Sequence, residues 1–151
     1  MSEAQAILKK LNFKEKGQPV LIVNPPKVYE DVFTAFNSDI HKEAKAEIYD
    51  FVQVFGTNNE ELQVYAREVS HLISEDGLLW LCYPKKSSKL YKGSDCSRET
   101  VMGMLANEGY EPVRQVAIDE DWSALRFRKP ENIKSMTRKF AVTDAGKQRT
   151  E

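Results

Sequence analysis

Two short runs free of charged and amide side chains set the terms on which this chain can fold. Val20-Leu21-Ile22-Val23 stops at Asn24-Pro25-Pro26, and Leu78-Leu79-Trp80-Leu81-Cys82-Tyr83 stops at Pro84. A strand with one wet face alternates apolar and polar residues, whereas an unbroken β-favouring run is covered on both faces. The prolines cannot donate to a ladder, so each strand ends where they begin. Strands buried on both sides belong to mostly parallel sheets layered between helices. Both runs fall far short of the ~20 residues that a membrane-crossing helix needs.

The segments around these runs supply the helices. Ser2 is placed to cap a short helix with Ile7, Leu8 and Leu11 on one side, stopped by Gly17 and Pro19. Val28, Val32, Phe33 and Phe36 predict a crossover helix over residues 27–36. Residues 40–48 have helical composition, yet the α/β alternation asks for a short edge strand near residues 44–48. Phe51-Val52-Gln53-Val54-Phe55 reads as a strand closed by Gly56. Asn58 with Glu61 makes a capping box for a helix carrying Leu62, Tyr65, Val69, Leu72 and Ile73 inward. Asp76-Gly77 reads as the turn into the second apolar strand. After a polar loop, a helix with Val101, Met102 and Leu105 inward ends at Gly109 in a left-handed cap. Residues 113–118 and 122–128 form a hairpin around Asp119-Glu120-Asp121. The order implies a single Rossmann-like α/β domain over residues 1–130: three layers, a mostly parallel sheet and a C-terminal antiparallel hairpin. Ile133, Met136 and Phe140 predict a short helix within residues 131–151 that frays into a flexible tail.

Charge narrows the function classes. Lys and Arg number 22 against 23 Asp and Glu, a net −1, so no global field steers nucleic acid or anionic lipid. The halves differ: residues 1–83 hold eight bases against thirteen acids, and residues 84–151 hold fourteen against ten. Arg126, Arg128, Lys129, Lys134, Arg138 and Lys139 could meet phosphates, but no nucleic-acid-binding motif accompanies them, and a solvated face is the expectation. Met1-Ser2-Glu3-Ala4-Gln5 has no basic and apolar leader character, which points to the cytoplasm. Cys82 and Cys96 are too few for a disulfide framework or a Cys-based zinc cage and are read as free thiols. His41 and His71 fall at no metal-ligand or triad spacing, so no metal is expected.

The most basic stretch leaves the second apolar strand. Lys85, Lys86, Lys89, Lys92 and Arg98 stand against Asp95 alone, with Ser87, Ser88, Ser94 and Ser97 as further donors. Such a loop lies beyond a strand's carboxyl end and feeds a helix N-terminus, the combination that favours anions in open parallel sheets. Lys85, Lys86, Ser87, Ser88, Asp95, Arg98, Trp122 and Ser123 are therefore the candidate ligand-binding residues. The alternative is a solvated lysine loop in which Asp95 caps the following helix and Arg98 meets a nearby acid. Asp119 and Asp121 could hold a cation or act as acid and base, but hairpin-tip carboxylates satisfy backbone donors more simply, and Trp122 then packs on the sheet with its indole N–H partnered. Cys96 at a helix start is either activated or an inert, substitutable thiol.

Three blocks carry a resemblance: Pro84-Lys85-Lys86-Ser87-Ser88, Asp95-Cys96-Ser97-Arg98-Glu99, and the run from Asp119 through Trp122-Ser123-Ala124-Leu125-Arg126-Phe127. In that order, over roughly residues 17–130, they resemble a family of small bacterial proteins of uncharacterised function with a methyltransferase-like fold, patterned Pro-Lys-Lys-Ser/Thr-Ser, Asp-x-x-Arg-Asp/Glu and Asp-x-x-Trp-Ser-x-Leu-Lys/Arg-Phe. Cys96 stands where that family commonly has an apolar residue, which argues against shared cysteine chemistry. The resemblance implies the fold and carries over no catalytic residue. The element order of the second half also looks like the back half of a methyltransferase-type Rossmann domain. The glycine-rich turn such an enzyme needs after its first strand is replaced here by Asn24-Pro25-Pro26. That tripeptide resembles the Asn-Pro-Pro-Tyr motif of amino-group methyltransferases, but Lys27 follows it and it reads as a strand terminator. The sequence thus predicts a non-catalytic binding or interaction module without a cofactor, taking a phosphate-bearing small molecule or an acidic protein surface on its basic loop. The alternatives are a diverged S-adenosylmethionine-dependent methyltransferase-like enzyme, and a subunit whose apolar edge is covered in an oligomer.

Overall fold

The computed structural model describes residues 2–133. Four strands run parallel: β1 (Val20–Val23), β2 (Ile40–His41), β3 (Tyr49–Phe55) and β4 (Ile73–Pro84). Two more, β5 (Glu111–Ala117) and β6 (Trp122–Arg128), form the antiparallel hairpin. The sheet order is β2-β1-β3-β4-β6-β5, so the hairpin folds back to place β6 against β4 and β5 at the edge. Alternate residues feed two cores. Phe51, Phe55, Trp80 and Cys82 face α1 (Glu3–Lys10) and the 3₁₀ helix Lys27–Ala35; Val52, Val54, Leu79 and Leu81 face α2 (Asn59–Val69) and α3 (Arg98–Val101). This is the expected Rossmann-like α/β fold, and the two apolar runs lie in it as covered strands, with Leu21, Ile22 and residues 79–82 fully buried.

Local rules explain most elements. Ser2 and Gln5 make a reciprocal capping box at the start of α1. The helix ends sooner than Gly17 would stop it: Asn12 takes a left-handed φ of 60°, its N–H donating to Lys9 O and that of Phe13 to Leu8 O, the paired bonds of a Schellman stop with asparagine in glycine's usual place. Trp80 Nε1 then donates to Leu11 O at 3.1 Å, fixing the end of α1 to the middle of the sheet. Asn58 caps α2, whose Leu62, Ala66 and Val69 are buried. Gly56 just before it allows that packing, because a Cβ there would lie 2.6 Å from Leu62 Cα.

The structure departs from the sequence expectations at several places, among them the end of α2, where Leu72 lies in a 3₁₀ turn and Ile73 already opens β4. The crossover after β1 is 3₁₀, not α-helical: a three-residue repeat turns Tyr29 and Val32 inward and leaves Val28 60 % exposed. The edge strand is Ile40–His41 rather than residues 44–48, which the Tyr49 hydroxyl gathers by accepting from Lys45 N and Ala46 N. Asp76-Gly77 is no turn but part of a wide bulge inside β4: Tyr49 pairs with Ile73 and Phe51 with Leu78, so β4 advances five residues while β3 advances two. Asp76 takes a left-handed φ of 55° there, and Gly77 lies where a Cβ would meet Ser74 Oγ at 2.8 Å. The α-helix after the polar loop is one turn long, although Val101, Met104 and Leu105 bury as a helix would and Gly109 has the left-handed φ of 88°. Finally, the Asn58–Glu61 box closes only halfway, since the Glu61 carboxylate turns to Thr57 N instead of Asn58 N. The short helix read for residues 131–151, with Met136 and Phe140, lies outside the described residues apart from the 3₁₀ turn Pro130–Asn132. Among the described residues no helix is long and apolar enough to cross a membrane.

Candidate functional site

The loop leaving β4 is folded onto the sheet by its own polar groups. Ser88 is buried; its hydroxyl donates to Asp121 Oδ1 at 2.7 Å and accepts from Leu90 N and Tyr91 N. Lys85 N donates to Asp121 O at 2.8 Å. At the hairpin tip Asp119 Oδ1 accepts from Asp121 N and Trp122 N, both at 2.8 Å. Both tip carboxylates are therefore occupied with turn and loop contacts, as the simpler reading holds. Trp122 is buried, with Tyr91 and Phe55 edge-on at 5.1 and 5.3 Å. Contrary to expectation, its indole N–H meets no acceptor among the described residues.

The eight candidate residues separate into an anchor and a rim. Ser88 and Trp122 hold the loop down. Ser123 follows Trp122 on β6, is buried and points to the opposite side of the sheet, so it shares no site with the tryptophan. Asp95 does not cap the helix that follows it; Ser97 does, accepting from Thr100 N. Asp95 instead reaches across to α2, accepting from Asn59 N on Oδ1 at 2.8 Å, while its own carbonyl accepts from Asn59 Nδ2. Lys86, Ser87 and Arg98 are exposed, and Lys85 is half-buried. Glu99 is held below the usual carboxylate range, first by its own backbone amide, then by the Ser97 hydroxyl, with Lys86 and Arg98 adding charge. Arg98 and Lys86 act on that carboxylate only through their charge, and no salt bridge joins Arg98 to an acid among the described residues. Tyr83 is buried, with its hydroxyl unpartnered among the described residues, and burial pushes its pKa up to about 12 despite the pull of Arg98. Desolvation by burial likewise raises the pKa of the Cys96 thiol, which disfavours its reactive thiolate form. Cys82 is buried as well and both thiols are free.

The other place to look for a ligand is the crevice where the chain changes direction across the sheet, between the carboxyl ends of β1 and β3. Here one side chain spans it. Asn24, in a left-handed φ of 56°, donates from Nδ2 to Phe55 O and to Glu61 Oε1, each at 3.1 Å, bridging the two strand ends to α2. Glu61 Oε1 also accepts from Thr57 N, and Asp95 takes Asn59 N. Two carboxylates therefore occupy amides at the start of α2 that would otherwise draw an anion. Below the bridge a buried polar chain runs from Tyr29 OH to Gln53 Oε1 at 2.9 Å and from Gln53 Nε2 to Cys82 Sγ at 3.5 Å. Sequence reasoning missed the Asn24–Glu61 bridge. Its one signal was Asn24 before two prolines, a residue type that tolerates left-handed backbone. Among the described residues no group of three or more His, Cys, Asp or Glu is arranged to hold a metal.

No family profile matches this chain, and no curated protein is similar to it in sequence. Solved structures are similar in fold. A SAM-dependent methyltransferase from Aquifex aeolicus superposes with a TM-score of 0.50 and 14 % identity, over 82 % of this chain and 88 % of that one. Magnesium protoporphyrin IX methyltransferase from Synechocystis PCC 6803 superposes with a TM-score of 0.50 and 10 % identity, over 83 % and 76 %. At these identities the likeness is one of fold: the chain has a methyltransferase-like Rossmann fold.

Proposed function

We propose that this chain is a non-catalytic binding module that offers the basic loop after β4 to an acidic protein surface. One observation carries the reading: Leu90, between Lys89 and Lys92, is 75 % exposed on a loop whose neighbouring residue, Ser88, is buried and hydrogen-bonded. An apolar side chain held out at the centre and rimmed by charge is the arrangement of an interface core, and Leu90 is the most exposed of the large apolar residues described. Lys86, Lys89 and Lys92 are exposed around it and fit a partner rich in Asp and Glu. The Asn24 bridge across the β1–β3 crevice supports binding over catalysis, because it places a side chain of the protein where such a sheet would accept a cofactor. In this reading Ser88, Asp95, Trp122 and Ser123 hold the scaffold, and Lys85, Lys86, Ser87 and Arg98 lie on or beside the contact.

The test is an NMR titration of the ¹⁵N-labelled protein with a synthetic Glu-rich peptide carrying one central leucine. Shifts confined to the loop amides, weakened by added salt and lost in both Leu90→Ser and Lys86→Ala/Lys89→Ala, are the expected result. Shifts that persist unchanged in both variants overturn the reading. Titration of ADP in place of the peptide tests the small phosphate ligand: saturation at the same amides by ADP alone replaces the acidic protein surface with it. Saturable binding of S-adenosylmethionine with shifts at Asn24 and Thr57 would restore the enzyme reading.

A further inference from the structure

At the end of the sheet opposite that loop lies a cavity of about 370 Å³, at the small end of the range for small-molecule sites. Its apolar wall is built by the left-handed stop of α1. Once Asn12 ends the helix, Phe13 drops onto the sheet, edge-on to Phe51 with ring centres 5.1 Å apart. Leu78 continues this wall, and Lys14 and Lys16 stand at the lining beyond it.

The polar end is formed by β6. Trp122, Ala124, Arg126 and Arg128 share one face of that strand by alternation, and the first two belong to the core while the arginines come out into the cavity. Arg128 grips Asp76 with two bonds, Nε to Oδ1 at 2.7 Å and Nη2 to Oδ2 at 2.6 Å. The bulge in β4 is what brings Asp76 there. Arg126 is left over: its side chain is only 15 % exposed, Nε is buried without an acceptor among the described residues, and Nη2 stands 4.0 Å from the Asp76 oxygen that Arg128 already holds. Arg114 lies opposite it on β5. Desolvation, foremost, and then Arg128 depress its pKa, and the guanidinium cannot shed its proton, so it is relieved by an acceptor.

We propose that this cavity binds a small apolar carboxylate, its carboxylate forked on Arg126 and its body against Phe13, Phe51 and Leu78. The planar fork of arginine matches a carboxylate through two parallel bonds. A dianionic phosphate fits less well, because Asp50 and Asp76 line the same space and offset half of the four cationic side chains around it. The site is separate from the loop after β4 and does not depend on the function proposed for that loop.

The probes are phenylacetate, its neutral counterpart phenylacetamide, acetate and inorganic phosphate, titrated into the full chain and followed by ¹H–¹⁵N correlation spectra that include the Arg126 Nε–H signal. Phenylacetate is expected to saturate in the millimolar range, moving that signal together with the Phe13, Phe51 and Leu78 amides, and to bind about tenfold or more tightly than phenylacetamide or acetate. Arg126→Gln is expected to abolish that preference. If this variant fails to fold, the comparison of charged and neutral probes in the native protein decides alone. Equal binding of the acid and the amide overturns the anion site. Phosphate binding as well as phenylacetate does overturns the ligand class. No movement of the Arg126 signal with any probe overturns the proposal entirely.

Discussion

Replacing Gly56 with alanine tests whether the end of β3 is shaped by helix packing or by access to the crevice beside it. The added Cβ would lie 2.6 Å from both Leu62 Cα and Cβ and 2.7 Å from Leu62 N. That is about 1 Å inside ordinary carbon–carbon contact. None of the three atoms belongs to a movable part of the leucine, so no rotamer relieves the overlap and α2 must retreat from the sheet. The helix resists this through buried Leu62, Ala66 and Val69 and through the Asp95 bond to Asn59 N. Overpacking of this kind costs about 1–3 kcal/mol. The stiffer unfolded chain returns about 0.4–1 kcal/mol. The expected net loss is about 1–2 kcal/mol, or about 3–6 °C in Tm for a chain of this size. Urea unfolding followed by circular dichroism, with a common slope, reads it. Leu62→Ala alone is expected to cost about 2–5 kcal/mol, and because it keeps all three clashing atoms the double variant should be less stable than either single variant. A Gly56→Ala protein within about 0.5 kcal/mol of the parent, or a clear rescue by Leu62→Ala, refutes the packing argument.

Two further perturbations follow from buried hydroxyls with opposite circumstances. Tyr83 has no partner for its hydroxyl among the described residues, so Tyr83→Phe should leave stability unchanged or raise it by up to about 1 kcal/mol. Its pKa is raised above the usual value of about 10, so its share of stability is complete below that pH and drains away as pH climbs toward about 12. The phenylalanine variant should therefore lose less stability than the parent between neutral pH and about pH 11, and an identical loss would contradict the assignment. Ser88, by contrast, serves three partners, and Ser88→Ala should cost about 1–2 kcal/mol and speed hydrogen exchange at the Leu90 and Tyr91 amides. Unchanged exchange there would mean the loop is held by something else.

Most of the sheet was legible because its signals are local. An apolar run closed by proline needs no partner to be recognised, and Val20–Val23 emerged as a strand with the bounds its composition gave it. The hairpin and the left-handed Gly109 were readable for the same reason. What escaped depends on residues distant in sequence. Nothing near Asp95 says that Asn59, 36 positions away, is its partner, and a cap on the next helix was the natural local guess. Asp76-Gly77 has turn chemistry, and the structure uses that chemistry in a bulge, because β4 continues on both sides of it. Leu78 was read as a strand residue and Arg126 as a surface cation. That they share a cavity follows from β6 entering the sheet beside β4, which no periodicity encodes.

That placement of β6 also governs the order in which the chain can be finished. β4 is the longest strand, and one of its two neighbours is β6, the last of the six described strands to be made. Until residues 122–128 have left the ribosome, the side of β4 that carries Leu79 to Pro84 is an open row of amides and carbonyls beside fully apolar side chains. Such an edge invites pairing with another chain. A nascent chain truncated in the loop before β5 would hold every parallel strand and still be adhesive, so the hairpin acts as the fold's own late-arriving chaperone.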